Sequence, residues 1–105
     1  MINRKILEVR RKLDKLDNKL LYLIKKRSNL VDIVLENKKY KKDIVDNKRI
    51  KKILKDISLK SKQRKIDQIV TKKIWKSMIR AFIDYEYRYF KKKIITYCEE
   101  EVFFL

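Results

Sequence analysis

A cationic residue interrupts an otherwise apolar seam near the start of this chain. From Ile6 onward the apolar residues fall at Ile6, Val9, Leu13, Leu16, Leu20 and Leu23, then at Leu30 and Val34, in alternating steps of three and four. That spacing is the seam of a helix made to lie against another helix. Position 27 continues the seam, yet it holds Arg27. A guanidinium there must reach outward along its stem, pair with an acid on a neighbouring helix, or face a negative ligand, because burying it alone costs several kcal/mol. Lys38 follows eleven residues later, on nearly the same face at about 100° per residue and about 16 Å along the axis. Arg10 lies seventeen residues before Arg27, roughly 100° around the helix. One chain therefore cannot turn Arg10 toward the same space, but a symmetric second copy can. Three basic groups arranged in this way would form a pocket for a small dianion, shared between two chains.

The elements that carry these residues are all helical. The first helix is expected from about Asn3, a natural cap, to about Lys39. A single rod of that length is too long for a 105-residue monomer to cover, so a partner rod is expected beside it. The pattern lapses between Lys39 and Val45, and Asp46-Asn47 offers a cap for a second, short helix. Its stripe of Ile50, Ile53, Leu54 and Ile57 runs to about Lys60, and Ser58 to Gln63 reads as a turn. Ile66, Ile69, Val70, Ile74, Met78, Ala81 and Tyr85 mark a third helix from about Lys65 to Tyr97. The tail 98–105 has no assignment, and residues 1–105 read as one domain.

Composition removes several kinds of chemistry. The chain has no glycine, hence no Gly-rich phosphate loop, and no histidine, hence no serine-protease-type triad and no histidine metal site. No histidine-held metal is expected. Cys98 is the single cysteine and cannot close a disulfide within the chain, so a cytoplasmic protein is expected. No apolar run approaches the ~20 residues that span a bilayer, and no membrane partner is expected. The net charge of +17 suits nucleic acid in principle, but the 31 basic residues are spread along all three helices and read as a solvated surface.

The run from Val9 to Arg27, VRRKLDKLDNKLLYLIKKR, followed by Lys38 and by Asp46-Asn-Lys-Arg49, resembles the all-helical (AroQ-class, type II) chorismate mutases. The resemblance continues through Ile74-Trp75 and Tyr85-Glu86 and covers about residues 4–90. It implies an intertwined six-helix homodimer with two equivalent sites, which converts chorismate to prephenate in phenylalanine and tyrosine biosynthesis without a cofactor. Carried over by position, Arg27 and the second copy's Arg10 grip the two substrate carboxylates, and Lys38 donates to the ether oxygen. Arg49 lies at the pocket edge, and Asp46 accepts from the substrate hydroxyl or anchors Arg49 through its cap. Glu86 falls where many bacterial members carry glutamine and some fungal ones glutamate, as the second donor to the ether oxygen. A glutamate donates only when protonated, so turnover is expected to fall as pH rises and Glu86→Gln to flatten the profile.

Two positions depart from the family pattern. Ile50 stands where a glutamate usually meets the substrate hydroxyl, and Phe82 replaces a small hydroxyl residue one turn before Glu86. A lost substrate hydrogen bond is worth roughly 1 to 3 kcal/mol, so a weakened enzyme is expected. Both residues also fit simple core packing. The alternatives are a basic helical nucleic-acid-binding protein, for which Tyr85, Tyr87 and Tyr89 offer stacking surfaces, and a degenerate mutase retained as an interaction module.

Overall fold

The computed structural model describes the backbone of residues 3–104 and the side chains of residues 3–90. It contains three α-helices, α1 (Arg4–Glu36), α2 (Asn47–Gln63) and α3 (Gln68–Phe104), with a single 3-10 turn at Lys41–Asp43 and no strand among the described residues. The all-α, three-helix expectation holds. None of the described helices is long and apolar enough to cross a membrane. The chain divides into two compact units, residues 1–33 and 34–105.

In the first unit, α1 starts at the cap expected for it. The Asn3 side chain accepts from the Ile6 N–H at 2.9 Å, satisfying one of the donors that a helix start leaves open. The seam residues Val9, Leu13, Leu16, Leu20 and Leu23 are all exposed in the single chain. Burying five such side chains would stabilise an assembly by about 10 kcal/mol, at about 2 kcal/mol each.

The second unit opens with the last turn of α1, which ends at Glu36 and not near Lys39. The N–H groups of Asn37 and Lys38 donate to the carbonyls of Val34 and Leu35, both at 3.1 Å, and this i to i−3 bonding tightens the final turn and stops the helix. Asp46 caps α2 as its position suggested, accepting from the Arg49 N–H at 3.0 Å. The expected turn at Ser58–Gln63 is instead the last part of α2. Ser61 is buried there, and its hydroxyl lies 2.6 Å from the Ile57 carbonyl and 2.8 Å from the Thr71 hydroxyl on α3. Polar composition suggested a break, but these hydroxyls are satisfied where α2 packs on α3, so the helix continues.

The true turn follows Arg64. Lys65 has φ 55°, its N–H donates to the Lys62 carbonyl at 3.2 Å, and the Ile66 N–H donates to the Ser61 carbonyl at 2.9 Å. This is the paired bonding that closes a helix through one left-handed residue, a position glycine usually fills. A chain without glycine places a lysine there and bears the steric cost. Lys65→Gly is expected to raise stability by about 0.5 to 1 kcal/mol, read as a higher urea midpoint at an unchanged slope; an unchanged or lower midpoint would contradict this account.

Asp67 starts α3, its Oδ1 accepting from the N–H groups of Ile69 and Val70 at 2.8 and 3.1 Å. The backbone of α3 is helical to Phe104, which gives the unassigned tail 98–105 a helical course through that residue. Thr71, Trp75, Met78, Phe82, Glu86 and Phe90 are buried or half-buried. Of the stripe expected from the sequence, Ile66, Ile69, Val70 and Ile74 are exposed. The side of α3 that α2 covers is therefore the neighbouring one, and a second apolar face remains uncovered in the single chain. The buried core of the second unit is small: Leu35, Ile44 and Phe90, with Ile83 and Tyr87 packed against it.

Candidate active site

The loop between α1 and α2 folds onto α3 through apolar contacts. Ile44, only 3% exposed, packs with Leu35 and Phe90. The 3-10 turn before it is held locally, with the Tyr40 N–H donating to Asp43 Oδ2 at 3.3 Å. Lys41 Nζ sits 5.6 Å from the centre of the Tyr87 ring. These contacts lay residues 38–44 along the stretch of α3 that carries Glu86.

Lys38 and Glu86, 48 residues apart in sequence, meet there. Lys38 Nζ donates to Glu86 Oε1 at 2.9 Å and also to the Ile44 carbonyl at 3.4 Å. The Lys38 side chain is 19% exposed and that of Glu86 9%. A carboxylate this buried needs a partner, and a lysine this sheltered loses freedom to swing into water. An ammonium has three donor hydrogens, and two are engaged by these acceptors. The third can meet a ligand oxygen. The role of the Ile44 carbonyl escaped the sequence reading, since a backbone acceptor leaves no mark in residue types.

Asp46 and Arg49 are also neighbours, joined by the cap hydrogen bond at the start of α2. This is the anchoring alternative considered for Asp46. Both residues are exposed, and they line a shallow depression together with lysines of α2. Ile50 is half-buried on α2, as a core position would be. Phe82 is half-buried four residues before Glu86, and its ring meets Tyr85 edge-on with centres 6.2 Å apart. Arg10 and Arg27 belong to the first unit, on α1, about 25 Å apart along its axis. Arg10 is exposed and Arg27 half-buried. That separation within one helix means a single α1 cannot present both groups to one small molecule.

Among the described residues no group of three or more His, Cys, Asp or Glu side chains could hold a metal ion. No curated protein and no solved structure matches the chain. The family model described as chorismate mutase type II does match, over residues 9–87, a span that begins just before Arg10 and ends just after Glu86. With that match covering well over half of its length, and with Lys38 and Glu86 brought into contact, the chain belongs to the chorismate mutase type II family.

Proposed function

We propose that this protein is a cytoplasmic chorismate mutase acting as a homodimer, with chorismate as substrate and prephenate as product, in the route to phenylalanine and tyrosine. The observation that carries the reading is the sheltered Lys38–Glu86 pair, formed by the two residues assigned to the ether oxygen. The rearrangement breaks a C–O bond while forming a C–C bond within one molecule, and exchanges no proton, water or electron with the protein. The protein has to hold the substrate in its compact shape and stabilise the negative charge that builds on the ether oxygen. Lys38 supplies that stabilisation with its remaining donor, and its anchors on Glu86 and Ile44 reduce the reorganisation needed at the moment of reaction.

Arg27 and the second copy's Arg10 take the two carboxylates through fork-shaped, charge-assisted hydrogen bonds. The 25 Å between Arg10 and Arg27 on one α1, and the exposed Leu13, Leu16, Leu20 and Leu23 seam, favour an assembly in which two chains share each site. Arg49 serves the pocket edge with Asp46 as its anchor. Ile50 removes one polar substrate contact usual in the family and Phe82 replaces a small hydroxyl residue in the pocket, and both favour a slower enzyme.

Mixing purified protein with chorismate and following its disappearance together with prephenate formation tests the proposal. The Lys38 ammonium donates to Glu86 Oε1 at 2.9 Å, so Glu86 acts in this reading as the acceptor that anchors Lys38. Salt-sensitive binding to random oligonucleotides with no turnover would replace the enzyme reading with the nucleic-acid one.

A further inference from the structure

The exposed face of α2 differs in charge pattern from α1. On α1, basic residues are interleaved with Glu8, Asp14 and Asp17. From Asn47 to Gln63, α2 has seven basic residues and a single acid, Asp56, which is half-buried. Lys48, Arg49, Lys51, Lys52 and Lys55 are all exposed and, with Asp46, line one open depression. Lys48 lies three and four residues before Lys51 and Lys52, and these precede Lys55 by four and three, so like charges face each other on adjacent turns. Such pairs destabilise a helix.

This face begins beside the site. Asp46 is two residues beyond Ile44, whose carbonyl holds Lys38, so the start of α2 lies within about 7 Å of backbone from that contact. Lys52 and Lys55 stand about 4.5 and 9 Å further along the helix than Arg49. All of them fall within one or two Debye lengths of the entrance at ordinary ionic strength, about 8 to 10 Å each.

We propose that Lys48, Lys52 and Lys55 form an electrostatic approach surface that concentrates a dicarboxylate at the mouth of the site and sets its KM. The inference rests on the chorismate mutase reading. Substrate and transition state carry the same net charge, because the rearrangement moves no proton, so a distant field attracts both equally. Equal attraction lowers KM and leaves kcat where it was. It also fades as salt screens the lysines.

The test compares the assembled parent protein, the triple variant Lys48→Gln/Lys52→Gln/Lys55→Gln, and a charge-matched control, Lys72→Gln/Lys73→Gln/Lys76→Gln. The control positions are exposed on α3, with Lys76 about 15 Å along the helix before Glu86. Chorismate kinetics are read from about 10 mM to about 500 mM salt. At low salt the α2 variant is expected to show a KM about tenfold higher at unchanged kcat, and to lose most of the salt dependence of the parent. The α3 control is expected to keep the parent KM and its salt response. An equal rise of KM in the control would reduce the effect to net charge and overturn the inference. So would a parent KM indifferent to salt, or a drop in kcat in the α2 variant. Each of these results requires turnover and leaves the mutase reading intact, whereas a parent with no turnover at any salt sinks that reading first and this inference with it.

Discussion

Lys38→Ala is expected to lower kcat by on the order of 10³-fold, the loss typical of a fixed donor aimed at developing negative charge. It should also destabilise the fold by about 2 to 3 kcal/mol. Glu86 is 7% exposed, and losing Lys38 leaves its carboxylate buried without the ammonium, a situation that costs more than the pair itself contributes. These two losses have different origins and can be separated. In Lys38→Ala/Glu86→Gln the orphaned carboxylate is gone, so the denaturation midpoint should recover much of the parent value while turnover stays as low as in the single variant. Chemical denaturation alongside single-turnover measurements decides the matter. Recovery of both quantities in the double variant would mean that Lys38 serves only to neutralise Glu86. Full activity in Lys38→Ala would remove it from the reaction altogether.

The second large effect concerns the seam of α1. Leu13→Asp/Leu20→Asp should convert a particle of twice 13.0 kDa into single chains and abolish turnover. Each leucine contributes about 2 kcal/mol when buried between chains, and each aspartate there would add the cost of desolvating a charge with no partner. The loss of turnover follows from the geometry of Arg10 and Arg27, which one α1 holds about 25 Å apart. Light scattering gives the mass and the chorismate assay gives the rate. A parent protein that is monomeric and active would overturn the shared-site arrangement, and a dimeric, active aspartate variant would place the interface elsewhere.

The comparison with the Ser61–Thr71 contact explains why such predictions must rest on positions and not on composition. Both residues are polar and both are buried, and their hydroxyls bond each other and nearby helix carbonyls. Judged by residue type, the segment from Ser58 to Gln63 looks like a turn. Judged by what faces it, it is the close-packed end of a helix, because α3 supplies the partner that water would otherwise supply.

The sequence by itself determined the helical class, the caps at Asn3 and Asp46 and the heptad spacing of α1. These are local properties: a side-chain oxygen bonds to an N–H three residues on, and apolar spacing follows the helical period whatever surrounds it. The tertiary structure alone decided that Lys38 meets Glu86 across 48 residues, that the Ile44 carbonyl shares the ammonium, and that α2 runs on past Ser58 to a left-handed Lys65. Those outcomes depend on the packing of Leu35, Ile44 and Phe90 and on the contact of α2 with α3. Contacts between residues distant along the chain carry no periodic signal, so no spacing rule could have announced them.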